Sequence, residues 1–285
     1  MDDALPAEML CAARADCSAL VADGTFTNTD QHDASVRSDQ VFWIEEPDGS
    51  WMTFGADRRR GLLDVLRAVR TLAVTLERHS GGDANESQFG VPRKAQLARY
   101  TPVSNAVPSD DASEEVASAA VIRATGGARY TAHRDGLPLS AVTVPLLLTN
   151  PGVCMRETTV IVYLTAPATT WPGSEGTSSR TIVAGSAPPR PGSLVLYLGA
   201  APDDTVGSTA TRVVEVLPLS GRAVLFDSRT VLHEVCPNTR TDLERLALTV
   251  WIGGAHDLSG LVSMMRAWWC SASGPRRGWS KFSPF

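Results

Sequence analysis

The stretch GRAVLFDSRTVLHEVCPNTRTDLERLALTVWIGG, residues 221–254, decides how this chain is read. Two apolar, strand-like runs, Ala223–Phe226 and Leu246–Trp251, flank a polar middle. His233 stands in that middle, before the second run, and Arg245 opens the run, a spacing that predicts neighbouring strands for the two. Upstream stands YTAHRD, residues 130–135, with His133 and Asp135 two positions apart. In an extended strand such residues project to the same side, so both side chains reach one face.

Two histidines and one carboxylate can occupy one face of an octahedral Fe(II) and leave the opposite face open. An arginine beside such a site offers a planar, permanently charged fork for a carboxylate. Each part alone is weak, because His-x-Asp triplets arise by chance and a lone histidine is usually a satisfied polar residue. Their conjunction points to a metal. His32, His79 and His256 stand in polar loop or helix-end contexts and read as surface residues.

Working outward, residues 3–22 read as an Ala- and Leu-rich helix and residues 24–40, GTFTNTDQHDASVRSDQ, as a polar loop. QVFWIEE (40–46) reads as a strand and PDG as a turn. Asp57 is a candidate cap for a helix running to about Arg78, with Leu62, Val65, Leu66, Val69, Leu72, Ala73 and Leu76 on one apolar face. Residues 80–86 and 102–115 read as loops. Strands are expected at Val116–Ala124, Arg129–His133, Thr158–Leu164, Ser193–Leu198, Thr211–Leu217, Arg222–Phe226 and Arg245–Ile252, with loops at 166–192 and 199–210. Helices first and strands later predict an α+β protein whose β part is a double-sheet jelly roll.

The chain has 285 residues, 43% of them hydrophobic, enough for one large domain or a domain with an appendage. The predicted division is a single domain over 1–257, with helical support in 1–80 and a jelly-roll core in 116–254. Residues 258–285 are expected as a C-terminal helix and tail. Twenty-six Lys and Arg against 31 Asp and Glu give a net charge of −5, so neither nucleic acid nor an anionic membrane is expected as a partner. The five cysteines are scattered, and the acidic start MDDALPAEML lacks the pattern of a signal peptide. Cytosol or nucleus is the expected compartment.

YTAHRD, RETTVIVYL and GRAVLFDSRTVLHEV with ERLALTVW resemble the Fe(II)/2-oxoglutarate-dependent prolyl 4-hydroxylases. The likeness is greatest to the intracellular branch that acts on hypoxia-inducible factor and on an F-box adaptor, and VRSDQVFWIEEPDG (36–49) resembles that branch as well. The resemblance spans about Leu20 to Gly254 and implies a double-stranded β-helix, cupin-like core with supporting N-terminal helices. It implies iron ligation by His133, Asp135 and His233, and a role for Arg245 and Tyr163 in holding the distal carboxylate of 2-oxoglutarate. Thr249 and Trp251 match pocket-lining positions, while Tyr130, Arg37 and Asp39 match positions near the substrate. The implied cofactors are Fe(II), 2-oxoglutarate and O2, with ascorbate as a further expectation. The implied reaction hydroxylates a prolyl residue of an intracellular protein and decarboxylates 2-oxoglutarate to succinate and CO2. Under this reading residues 24–40 are expected to form a mobile flap over the substrate.

Two departures stand out. The branch usually carries a tyrosine ten residues before the first histidine, where this chain has Arg123. The stretches 136–155 and 170–211 are longer than usual, which fits insertion loops or altered substrate walls. Two alternatives accompany the main reading: a hydroxylase of a free amino acid or small metabolite, and a cupin-like binding or sensor protein without turnover.

Overall fold

The structure, a computed structural model, describes residues 2–28, 36–45, 59–79, 94–101, 127–137, 142, 145–146, 151–154, 156–165, 179–183, 187–240 and 244–253. Helix α1, Ala7–Ala22, begins behind Pro6 and buries Leu10, Ala13, Cys17 and Leu20, one stripe at three-to-four spacing. It stops at Asp23, and Gly24 adopts a left-handed φ of 63°, which costs glycine nothing. Helix α2, Arg60–His79, buries Leu62, Val65, Leu66 and Val69 as its periodicity predicts. Leu72 is half-buried, and the side chains of Ala73 and Leu76 lie outside the described residues.

Asp57 also lies outside the described residues. The first turn of α2 is capped from a distance: the Asp16 carboxylate of α1 accepts the Leu62 N–H at 2.9 Å. Burial raises the Asp16 pKa, and the backbone N–H groups of Leu62 and Gly61 oppose the rise. The helices approach closely at Gly61, where a Cβ would lie 2.3 Å from the Ala12 carbonyl carbon.

The strands are β1 Thr27–Asn28, β2 Gln40–Glu45, β3 Lys94–Tyr100, β4 Ala128–His133, β5 Thr158–Tyr163, β6 Ser179–Ile182, β7 Leu194–Leu198, β8 Arg212–Val216, β9 Ala223–Asp227, β10 Leu232–Asn238 and β11 Arg245–Ile252. A short helix, α3 Pro151–Cys154, precedes β5. The first sheet has the order β1-β2-β3-β11-β5-β9, and the second β4-β10-β7-β8-β6. Neighbours pair antiparallel throughout. Two antiparallel sheets behind two helices form the expected α+β jelly roll.

Strand periodicity sorts the first sheet into two faces. Leu97, Val160, Val162, Leu248 and Val250 pack with Leu20, Leu62, Val65 and Leu66 of the helices in one core cluster. Complete burial of such a side chain contributes roughly 1.5–3 kcal/mol. The alternate residues, Ala98, Tyr100, Ile161, Tyr163 and Ala247, face Leu194, Leu196 and Val235 of the second sheet. The site opens within this inter-sheet layer.

Several elements depart from expectation. β1, β3, β6 and β10 are strands that the apolar patterning does not mark. β3, KAQLARY, interleaves Lys, Gln and Arg with its apolar residues, and its inner Gln96 and Tyr100 line a polar site. β10, LHEVCPN, contains Pro237, and its register with β4 shifts between Val235 and Asn238, where a proline without an N–H is tolerated. His233 therefore lies inside a strand of the second sheet while Arg245 lies on the first, so the two strands face each other across the core instead of pairing.

The 170–211 stretch is no simple loop, since β6 and β7 fall within it and extend the second sheet. Both ends of the expected 24–40 flap are tied down: β1 pairs with β2, and Arg37 bridges Tyr130. Residues 29–35, the strand expected at 116–124 and the helix expected from Leu258 lie outside the described residues, as do His32 and His256. Among the described residues Cys11, Cys17, Cys154 and Cys236 are free thiols. No described helix is long and apolar enough to cross a membrane.

Candidate metal centre

The ligand atoms of His133, Asp135 and His233 lie within 4.8 Å of one another, the one such cluster of three among the described residues. β4 and β10 pair with His133 directly opposite His233, and the two ring centroids are 4.3 Å apart. The strand ends at His133, so Asp135 sits in the bend beyond it instead of continuing the extended run. Its Oδ1 is 3.6 Å from His133 Nε2, and its Oδ2 is 3.6 Å from His233 Nε2.

The outer nitrogens are already engaged. His133 Nδ1 is 2.7 Å from the Thr131 carbonyl, and His233 Nδ1 is 3.2 Å from that of Val231. A carbonyl only accepts, so each Nδ1 carries the proton and each Nε2 keeps its lone pair toward the centre. Burial lowers the His233 pKa to about 4, with nearby His133 adding to the effect and Asp135 opposing it. His233 is therefore a neutral donor at pH 7. Burial works to raise the Asp135 pKa, but nearby His233 and His133 and the Thr159 hydroxyl outweigh it and hold the carboxyl far below its usual range. An anionic carboxylate between two imidazole donors suits a divalent cation of borderline hardness such as Fe(II).

The centre opens into a narrow cavity between the two sheets. Arg245, Ala247, Thr249 and Trp251 line its far wall, every second residue of β11. Arg245 is 1% exposed, and its Nε and Nη1 have no hydrogen-bond partner. Its guanidinium lies 4.3 Å from the Tyr100 ring centroid and 5.2 Å from that of Tyr163. Burial works to lower the Arg245 pKa, yet Tyr163, Tyr100 and Asp39 leave it raised. The buried Tyr163 hydroxyl lies beside this guanidinium and helps to keep it charged. The buried Arg245 fork lines the cavity opposite His133, Asp135 and His233 and fits an anionic chelator, while Tyr163 packs beside the guanidinium and does not line the cavity itself.

Tyr130 stacks on His133 with centroids 3.5 Å apart, and Arg37 covers its other side at 4.4 Å. Arg37 lines the cavity. It donates from Nε and Nη2 to the two Asp39 oxygens at 2.6 and 2.9 Å, and from Nη2 to Gln96 Oε1 at 2.9 Å. Asp39 is buried with its carboxylate taken up by Arg37, so it supports the wall from behind. Arg156 lies 3.8 Å above the Trp251 ring, and Trp251 lies 5.9 Å from Trp43.

Arg123 lies outside the described residues. The cavity contains a tyrosine all the same: Tyr100 on β3 pairs with Arg245 on β11. Counting back from His133 misses it because a long segment separates β3 from β4. Thr159 and Ser228 are likewise missed. Thr159 Oγ1 donates to Asp135 Oδ2 at 2.7 Å and lies 2.7 Å from Ser228 Oγ. Thr159 stands within an expected strand, where its hydroxyl reads as ordinary β-propensity.

With this geometry in place, sequence comparison adds one finding. Residues 119–253 match the 2OG-Fe(II) oxygenase superfamily. The candidate metal cluster and the cavity wall of β11 fall inside the matched segment, while Arg37 and Tyr100 lie before it. No curated protein matches the chain. Among solved structures, the chain is similar to a prolyl hydroxylase from Trichoplax adhaerens in complex with a peptide fragment of the hypoxia-inducible-factor oxygen degradation domain. The identity there is 19% over 89% of this chain and 81% of that one, with a TM-score of 0.53. It is also similar to a Pseudomonas putida prolyl-4-hydroxylase, at 21% identity over 89% of this chain and 90% of that one, with a TM-score of 0.49. At 19% identity the likeness to the Trichoplax protein is one of fold.

Proposed function

We propose that this oxygenase hydroxylates prolyl residues of an intracellular protein, using Fe(II), O2 and 2-oxoglutarate, with succinate and CO2 as coproducts. The observation that carries the reading is the cavity with His133, Asp135 and His233 on one side and the unpartnered Arg245 fork on the other. His133 and His233 would give their Nε2 lone pairs to iron, and Asp135 would supply the anionic ligand. Bound iron would supply the oxidising chemistry, with the protein contributing binding, orientation and a dry pocket. Arg245 would take the distal carboxylate of the cosubstrate, assisted by Tyr163. Tyr100 would stand in for the tyrosine that the family places near 2-oxoglutarate, and Thr249 and Trp251 would form the wall. Ascorbate as a reductant and residence in cytosol or nucleus belong to the same proposal.

The choice of proline rests on the sequence resemblance, and the peptide held by the Trichoplax structure supports a polypeptide substrate. A prolyl ring offers a C–H bond at fixed geometry and has no backbone N–H to satisfy. Tyr130, stacked on His133, and Arg37 beside it would flank such a chain. The test is incubation with Fe(II), 2-oxoglutarate and proline-containing peptides or a proteome digest, read by mass spectrometry. Gain of one oxygen on proline is expected. Oxygen gained solely by free amino acids or small metabolites would replace the reading with a metabolite hydroxylase, and no succinate at all would leave a binding or sensor protein.

A further inference from the structure

We infer that Thr159 and Ser228 are positioning residues for the metal, holding Asp135 so that one carboxylate oxygen faces the ion. The inference rests on the metal reading above. Asp135 lies past the end of β4, where no strand ladder fixes its backbone. Its orientation must come from elsewhere, and two buried hydroxyls supply it.

Thr159 points inward from β5, Ser228 follows β9, and both are fully buried. A carboxylate only accepts, so the 2.7 Å contact of Thr159 Oγ1 with Asp135 Oδ2 uses the threonine proton. The 2.7 Å contact between the two hydroxyls must then use the serine proton. Both dipoles of this relay therefore point toward the carboxylate, and Oδ2 is engaged before any metal arrives. A carboxylate with both oxygens free can chelate an ion and consume a second coordination position. A facial triad needs the carboxylate in one position with the opposite positions open.

Ser228 fixes the same turn through its backbone. Its carbonyl accepts the Gly136 N–H at 2.8 Å, and its N–H donates to the Glu157 carbonyl at 2.8 Å. The Asp135 carbonyl accepts Arg156 Nη1 at 3.1 Å. Gly136 has no room for a side chain, since a Cβ would lie 2.7 Å from the Arg156 carbonyl oxygen. Ser228 thus ties the ligand turn, the entry to β5 and the exit of β9 together, and its hydroxyl completes the link through Thr159.

The test titrates the metal-free protein with Co(II), followed by visible absorbance, with thermal denaturation as the check of folding. Thr159→Val, which keeps the shape and loses the hydroxyl, should weaken Co(II) binding roughly 10- to 100-fold, the usual effect of losing an outer-shell partner. Thr159→Ser should stay within about threefold of wild type, and Ser228→Ala should fall by about three- to tenfold. Wild-type affinity in folded Thr159→Val, or a Thr159→Ser protein as weak as Thr159→Val, overturns the relay. If Thr159→Val does not fold, undiminished affinity in Ser228→Ala overturns it equally. His133→Ala separates the two levels. Unchanged Co(II) binding there removes the metal reading itself, whereas its loss there beside full affinity in Thr159→Val removes the relay alone.

Discussion

Replacing Arg245 by Met tests the proposed cosubstrate contact and the energetics of the buried guanidinium together. Arg245 is 1% exposed, and its Nε and Nη1 lack partners. Each unsatisfied buried N–H costs on the order of 1–3 kcal/mol. The faces of Tyr100 and Tyr163 return about 0.5–2 kcal/mol through cation–π contact. Methionine fills similar volume with neither term, so the ligand-free Tm should hold or rise by a few degrees. Binding should move the other way. A two-pronged, charge-assisted contact with a carboxylate is worth about 1.5–3 kcal/mol per bond, so losing both prongs removes about 3 kcal/mol at the low end. That is a loss of about two decades in 2-oxoglutarate affinity. The assay is thermal shift with redox-inert Mn(II) and graded 2-oxoglutarate. At about 100 times the wild-type Kd the ligand stabilises wild type by roughly 2.7 kcal/mol, a rise of several degrees, and the variant by a few tenths of a kcal/mol. An undiminished shift in Arg245→Met would refute the assignment. A steep fall in its ligand-free Tm would refute the claim that the guanidinium is unsatisfied.

Asp135→Ala and His233→Ala should each lose Co(II) binding and succinate formation together, and full turnover in either would remove the metal assignment. For the metal-free protein, His233 has a folded pKa of about 4 against an ordinary 6.5, so the unfolded chain takes up the proton first. Stability should be full above about pH 6.5 and fall by on the order of 3 kcal/mol on acidification to pH 4. His233→Gln should flatten urea-denaturation midpoints across that window, and an equally steep profile in the variant would contradict the buried neutral imidazole. Gly61→Ala drives a methyl group into the Ala12–Ala13 backbone and should destabilise the chain by about 1–3 kcal/mol or more. An unchanged midpoint would show that α1 and α2 separate at no cost.

The parts legible in the sequence are those that local chemistry dictates. Apolar, strand-like runs mark β5, β9 and β11, and the period of two in an extended strand places Arg245, Thr249 and Trp251 on one face of β11. Period 3.6 marks the buried face of α2. His133, Asp135 and His233 are readable because metal ligation demands few residue types at few spacings. β3 and β10 escape that reading because strands lining a polar cavity carry Gln96, Tyr100, His233 and Glu234, which blur the alternation, and Pro237 interrupts β10.

What the chain determined by itself is therefore the set of candidate ligands, the amphipathic faces and the class of fold, since each is written in local residue types and spacings. Only the tertiary structure decided the partners across segments. It set His233 and Arg245 on facing sheets, and brought Tyr100 to Arg245 through the β3–β11 register despite the long segment before β4. It capped α2 with Asp16 and joined Thr159 and Ser228 behind Asp135. These groups meet through sheet register and layer packing, which depend on distant strands and leave no local periodic trace.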